Sequence, residues 1–572
     1  MDAGTKKIQE IFQNNIILKI PYFQRSYVWK EENWERFLND MLDLPETDDN
    51  YFLGSVILKK AGKNDLGYET YDVVDGQQRL TTLVIFLKIL YLMASKDEKF
   101  KNNFMQDDVD APVLRPNRKD AAVFNEIVRL EGLGHPVAGK GQVKKAFDYF
   151  MDKMNNAAVR DKANTLIRYM NNNVYLVRII VDENENEQQI FDTINSLGQD
   201  LTTGELLKNY LFNDENVALY DEKWVPIFER GGSDYNYWTD QLTKGRLKAN
   251  NIETFFYYFM LIKMQDPEIR TTLTTIEKKI YRKQEGLFES YKSLIKKHSL
   301  NKDSLINEIV EYGKIYHENF DQSILKDALV KYPGINRLCF LLFAQGSWTP
   351  VPYLLYILKN VTNDEEKVNI FAYLETYLVR RIICRSKNNN YSDLFSENLI
   401  GQGINTYEKF KCYVNDAQSR GTLLMPSDDD VKRAIKENDL TKSAAIILYL
   451  LESKMNNSFT SEGLYNNAFI SFSLEPLMPI KYDKEKWPLN GNYTEEERDV
   501  LVRTLGNHIL VRGGKLPTTK TGLNWTTKKS ILSQMCQELR LGQVCSSNSW
   551  DEDRIITRNN VLGDQIVELW KK

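Results

Sequence analysis

Three hydrophobic patterns follow one another between residues 51 and 93. YFLGSVILKK (51–60) is an apolar run of strand length, AGKNDLG (61–67) is a cluster of turn formers, and YETYDVVDG (68–76) is a second strand ending on a glycine. LTTLVIFLKILYLM (80–93) then places apolar side chains at Leu80, Leu83, Val84, Leu87, Leu90 and Tyr91, which are helical intervals. The predicted module is strand, tight turn, helix. From about residue 140 helical spacing dominates, broken by one strand candidate, NNVYLVRIIVD (172–182). EQQIFDTINSLGQDLTTGELLKNYLF (187–212) reads as helix, glycine turn, helix, with Thr202 or Thr203 placed to cap the second. Amphipathic helices fill 216–455, among them NIFAYLETYLVRRIICRSKNN (369–389), one helix with a basic end. After about 456, short apolar runs, Pro/Gly turns and Trp-containing helices predict a small mixed domain. The expected chain is α+β, predominantly helical, in three parts: 1–215, 216–455 and 456–572. It carries no repeat of fixed period and no low-complexity tract.

Composition narrows this picture at a few points. A chain of 572 residues is too long for one core. Aromatic content of 12% rules out a largely disordered chain. The five cysteines (Cys339, Cys384, Cys412, Cys536, Cys545) form no CxxC pair, and with four histidines they leave no zinc signature. MDAGTKKIQEIFQNN lacks the apolar core of a signal peptide, and no apolar run reaches the ~18 residues of a membrane span, so a reducing cytoplasm is the expected compartment. A net charge of −4 neither supports nor excludes nucleic acid, because any DNA contact must come from a local basic patch.

The residues richest in chemistry are Asp75, Gly76, Gln77, Gln78 and Arg79, between the second strand and the long helix. A helix N-terminus aims backbone N–H groups and a favourable dipole at an anion. Gly76 permits close backbone approach, Arg79 offers a fork of donors suited to phosphate, and Asp75 could hold magnesium or orient a water. The same five residues would also make an ordinary polar turn with a capping Asp. Arg25 lies in the aromatic segment PYFQRSYVW (21–29), where it could stack on a base, grip a phosphate, or close a salt bridge at a core edge. Asn195 and Gly198, between Phe191, Ile194 and Leu201 and ahead of Lys208 and Asn209, suit a turn that closes over a ligand or a plain helical junction. GHPVAGKG (134–141) nearly matches a P-loop. However, Gly141 stands where Ser or Thr would ligate magnesium, and EIVRLEGL before it reads as helix rather than strand, so this is a loop and not a phosphate site.

Five segments in order, IPYFQRSYVW (20–29), YFLGSVIL (51–58), YDVVDGQQRLTTL (71–83), LRPNRKDAAVF (114–124) and FDTINSLGQDLTTGELLKN (191–209), resemble the N-terminal domain of GmrSD-type modification-dependent restriction endonucleases. LETYLVRRIICRS (374–386) resembles the helical region after it. The resemblance implies a ParB-like, sulfiredoxin-related fold of bacterial anti-phage systems that binds, and often hydrolyses, an NTP (GTP or ATP) with Mg2+. It assigns nucleotide contact to Asp75, Gly76, Gln77, Gln78 and Arg79, with Arg25 as a further candidate.

The C-terminal region resembles the family's His-Asn-His nuclease domain through FSLEPLMP (472–479), RTLGNHILV (503–511), LNWTTKKSIL (523–532) and WDEDRIITRNNVLGDQIVELW (550–570). It departs at one position. Pro476 stands where the family has its general-base histidine, and proline cannot take a proton from the attacking water, a loss worth about 10²–10⁴ in rate. His508, beside Asn507, could substitute or bind metal, or be a structural or surface histidine, and Glu475 with Asn507 could bind metal, although no spacing rule requires it. Arg503, Arg512, Lys515, Lys520, Lys528 and Lys529, interleaved with Trp525, either form a DNA-binding face, with Arg512, Lys528 and Lys529 foremost, or a solvated basic surface. The expected function is an NTP-dependent DNA sensor of phage defence whose degenerate nuclease domain cuts weakly, cuts with a rearranged site, or serves as a DNA- or partner-binding platform. A second protein subunit supplies cleavage if that site is dead, with no membrane contact and possible homo-oligomerisation. The alternatives are a nucleotide-stimulated DNase built on His508 and a nucleotide-independent scaffold.

Overall fold

The computed structural model describes residues 2–22, 24–47, 50–106, 109–155, 157–182, 202–212, 216–229, 237–244, 247–416, 423–456, 467–514, 516 and 523–572. Asn195 and Gly198, with the 183–201 segment around them, lie outside the described residues, as do Lys515 and Lys520. The chain divides into two compact units, Met1–Glu215 and Asn216–Lys572.

The first unit is built on a six-stranded mixed sheet in the order β1-β6-β3-β4-β2-β5. Its strands are β1 (Asp2–Lys7), β2 (Ile16–Lys19), β3 (Tyr51–Lys63), β4 (Glu69–Asp75), β5 (Leu114–Arg115) and β6 (Val174–Val181). β3 and β4 pair antiparallel, while β3 pairs parallel with β6 and β4 with β2. β3 runs beyond the expected strand, through Ala61 and Gly62. Gly62 takes a positive φ at a register shift between Lys60 and Lys63, so the chain bulges rather than turns there, and the turn itself falls at 64–67.

Strand alternation divides the apolar residues between two faces. Val56, Leu58, Val73, Val174 and Leu176 join the main core, whereas Ile57, Val74, Ile179 and Val181 form a smaller cluster on which Leu206 packs. The helix Gln77–Met93 forms as expected, but it is buried all round rather than along one stripe. Thr81, Thr82 and Lys88 lie inside as well. A helix apolar on every side belongs in the middle of a domain. Its one interior ammonium, Lys88 Nζ, is matched by Asp97 at 2.5 Å.

The second unit is mainly helical, with two small antiparallel pairs, β7 (Gln241–Lys244) with β8 (Leu247–Asn250) and β9 (Phe472–Pro476) with β10 (His508–Arg512). The 216–455 helices and the region after 456 share this one body. A buried ion cluster helps explain why. Glu375, on helix Asp364–Ile383, receives two bonds from Arg337, at 2.9 Å and 3.0 Å, and one from Trp570 Nε1 at 2.9 Å, with Lys454 Nζ 3.5 Å away. The neighbouring cations hold the Glu375 carboxyl below its ordinary range despite complete burial. The basic end of this helix is interior too. Arg380 donates to the Trp570 carbonyl at 2.7 Å, and Arg381 donates to Tyr391, Leu424 and Lys387.

Candidate functional site

Gly76 is the hinge of the N-terminal site. It takes φ +95° between β4 and helix Gln77–Met93, and a Cβ there would fall 2.9 Å from Val56 Cγ2 and 3.1 Å from the Ser55 carbonyl. Only glycine fits both the conformation and the space. As the N-cap it has no side chain to satisfy the first-turn amides. Asp75 and Arg79 flank the bend, Nη1 3.5 Å from Oδ2, each side chain 27% exposed and so reachable by a ligand. Arg79 also donates to the Ser55 carbonyl at 3.1 Å. Gly54, with φ +125°, makes room for this guanidinium: a Cβ at 54 would sit 2.8 Å from Arg79 Nε. Gly54 on β3 thus makes room for the arginine, while Gly76, just beyond β4, makes the bend beside it.

The two glutamines are both largely buried. Gln78 accepts from Val28 N at 2.8 Å and donates to the Ser26 carbonyl at 3.4 Å, so it latches the aromatic segment to the helix. No bond to the Gln77 side chain occurs among the described residues. The 24–28 segment is held from a third side by Asn117, which donates to the carbonyls of Gln24 and Arg25 and caps helix Arg118–Val128. Asp120 accepts from Tyr27 N at 2.7 Å, and burial pushes its carboxyl up to about 6. Arg25 thereby reaches helix Thr203–Leu211, with Nη1 3.9 Å from Glu205 Oε1. Thr202 is the cap of that helix, in a capping box with Glu205.

Contacts therefore join the described parts of the five N-terminal segments around one corner of the sheet. Gly54, Asn117, Asp120 and Glu205 had not been singled out individually. Asn117 was findable, as an Asn directly before a helical pattern, whereas the closeness of Gly54 to Arg79 has no signal along the chain. The 134–141 loop follows helix Arg118–Val128 and bonds back to it, Ala138 N donating to Glu126 at 2.9 Å, where a P-loop needs a preceding strand.

The C-terminal candidates are gathered as well, but they are committed to one another. In the β9–β10 pair, His508 lies directly opposite Pro476 and Ile509 opposite Glu475. Asn507, fully buried, accepts from Met478 N and Trp550 Nε1 and donates to the carbonyls of Met478 and Val502. Every donor and acceptor of its amide is thus engaged in fixing the turn. His508 is 1% exposed, and its Nδ1 lies 2.8 Å from the Thr504 carbonyl, which requires the proton on Nδ1. Burial drives its pKa down to about 4, so the ring is neutral at pH 7.

Lys528 is buried too. Its Nζ donates to the Pro476 carbonyl at 2.6 Å and lies 3.2 Å from Glu475 Oε1, and burial lowers its pKa. Of the expected DNA-facing cations, Lys528 is therefore interior. Arg512 bonds Glu538 at 3.0 Å and lies over the Phe472 ring, and Lys529 reaches the Ser547 carbonyl at 3.2 Å. Glu475, Asn507 and His508 do not fit a divalent cation: an ammonium occupies the carboxylate's side, and the amide has no lone pair to spare. Among the described residues no three His, Cys, Asp or Glu converge as metal ligands, and no helix is long and apolar enough to cross a membrane.

Two family matches cover the regions that carry these candidates. Residues 8–212 match the family described as GmrSD restriction endonuclease, N-terminal domain, and residues 425–565 match GmrSD restriction endonucleases, C-terminal domain. No curated protein matches the chain. The two matches cover more than half of the sequence, in the family's own order, and the chain belongs to the GmrSD restriction endonuclease family.

Proposed function

We propose that this protein is an NTP-binding and NTP-hydrolysing, DNA-sensing member of restriction-type anti-phage defence, whose C-terminal nuclease-like module does not cut. The observation that carries the nucleotide half is the cradle of Gly54, Gly76 and Arg79 at a helix N-terminus, with Asp75 and Arg25 at its margins. The ligand is GTP or ATP. Magnesium bound with it supplies charge neutralisation at the phosphates, and Asp75, half-buried at the strand end, is the carboxylate suited to hold it. The ParB-like assignment of this unit rests on the family resemblance.

The non-cutting half rests on Pro476 at the general-base position and on the burial of His508, Asn507 and the Lys528–Glu475 pair. The module then serves as a platform for DNA or a partner, with Arg512 and Lys529 on its less buried side, and a second subunit supplies cleavage. Assembly with further copies of the chain and a cytoplasmic setting complete the proposal.

Binding of labelled ATP and GTP to the wild type, Arg79→Ala and Gly54→Ala tests the first half. Saturable binding that weakens at least tenfold in both variants is expected. No binding by the wild type would favour a nucleotide-independent scaffold. Plasmid nicking with magnesium or manganese tests the second half. One feature favours the rival reading: a proton on His508 Nδ1 leaves a lone pair on Nε2, across the strand from Pro476. Nicking by the wild type that His508→Ala abolishes would establish that rival; no nicking by either is expected.

A further inference from the structure

Five free cysteines are distributed through the second unit, and two of them touch. Cys536, just after helix Trp525–Met535, and Cys545, in the helical turn Arg540–Ser546, lie with their sulfurs 3.7 Å apart. The loop between them is tight: a Cβ on Gly542 would collide with the Cys536 carbonyl oxygen, so the chain folds back directly onto Cys536. It is also anchored, because the amides of Arg540 and Leu541 donate to the Glu452 carboxylate at 2.7 Å and 3.0 Å. On its far side the Ser547 carbonyl accepts from Trp525 Nε1 at 3.0 Å.

Beside the sulfurs lies the buried guanidinium of Arg558, close enough for its charge to act on both. Its Nη1 donates to the carbonyls of Gly506 and His508, while its Nη2 is buried with no hydrogen-bond partner among the described residues. A buried donor left unmatched costs stability unless something negative comes to it. A thiolate is such an acceptor. The two thiols are not equivalent. Cys536 Sγ also lies 2.9 Å from the Leu532 carbonyl and 3.8 Å from that of Gly542. The Cys536 contact and the Arg558 charge favour the thiolate of Cys545, whereas Cys536 is held as thiol by its neighbour and by burial.

We propose that Cys536 and Cys545 form a reversible thiol–disulfide site, oxidised by a small peroxide or by a low-molecular-weight disulfide, with Cys545 the attacking sulfur and Cys536 the resolving one. With hydrogen peroxide, the Cys545 thiolate attacks one oxygen, the O–O bond breaks, and the departing hydroxide is protonated to water, leaving a sulfenic acid. The Cys536 sulfur then attacks that sulfur, its proton leaves with the hydroxyl as a second water, and the S–S bond forms. Two thiols and one peroxide yield one disulfide and two waters. With a disulfide oxidant, Cys545 first forms the mixed disulfide, and Cys536 displaces the small thiol. The sulfurs need to close by roughly 1.7 Å to reach bonding distance, a movement within the reach of a rotamer change and a slight loop shift. Cys412 is exposed and provides an internal control for access alone.

The test uses the full chain, reduced and freed of reductant, then treated with hydrogen peroxide or glutathione disulfide. Alkylation before and after reduction, read by peptide mass spectrometry, identifies the oxidised sulfurs. The expected result is a Cys536–Cys545 linkage formed roughly tenfold faster than oxidation of Cys412, and reversed by a dithiol. Cys536→Ser should leave a sulfenic acid at Cys545 that a dione reagent traps, and Cys545→Ser should leave Cys536 unreacted on the same timescale. Oxidation of Cys412 ahead of the pair, linkage only in denaturant, or trapping at Cys536 instead of Cys545 would each overturn the proposal.

Discussion

His508 combines a polar ring with an interior position, and the combination has a definite pH signature. In the unfolded chain an imidazole titrates near 6.5, whereas the folded ring titrates at about 4. Between those values the unfolded state binds a proton that the folded state refuses, so stability of the second unit rises with pH through that window and the deficit is complete below it. The cost at the acid end is about 3 kcal/mol. Asp120 carries the opposite sign in the first unit. Its folded carboxyl holds a proton up to about pH 6, so its contribution grows as pH falls from there towards the ordinary carboxylate value. Urea midpoints of the second unit measured from pH 7 to pH 4 should fall in the wild type, and the fall should shrink in His508→Asn. An unchanged slope in the variant would place the pH dependence elsewhere. His508 is legible along the chain only as a candidate beside Asn507, and its neutrality follows from the Thr504 carbonyl and its burial, which no local spacing encodes.

At the scale of elements, patterns that depend on near neighbours were legible. The strand–glycine–helix succession around Gly76 stands where hydrophobic spacing put it, because a strand period of 2 gives way to a helical period within a few residues. Of the two candidate caps, Thr202 and Thr203, it is Thr202 that caps helix Thr203–Leu211. What could not be read was which charged residues face inwards. Arg380 and Arg381 look like the solvated basic end of an amphipathic helix, yet both are buried because carbonyls from distant segments and the Trp570 backbone meet them there. Lys528 was misplaced on the surface for the same reason, since its partners Glu475 and Pro476 lie some fifty positions away. The Glu375 cluster permits a quantitative test. Glu375→Gln leaves Arg337 and Lys454 facing an uncharged amide, and the expected loss is about 3–5 kcal/mol in the chemical unfolding of the second unit. Replacing Glu375 and Arg337 together by Leu and Met should recover much of it, whereas additive losses would show that the pair is not the source.

Over the whole molecule, two separate compact units imply two cooperative transitions. If the cradle at Gly76 takes the nucleotide, ATP or GTP with magnesium should raise the transition of the first unit alone. The gain is roughly 2.7 kcal/mol at a ligand concentration a hundred times Kd. Calorimetry of the full chain, with Arg79→Ala as the control, reads this directly. A shift of the second transition only would move the ligand to the other unit.

The sheet order has a practical consequence for handling the protein. β1 forms one border of the described sheet and shields β6 over Tyr175–Ile180, through pairs running from Asp2 with Ile180 to Lys7 with Tyr175. Removing the first seven residues would strip that cover from an apolar ribbon, Val174–Val181, and leave its amides and carbonyls open to a neighbour's strand. Loss of β1 therefore invites edge-to-edge self-association through β6.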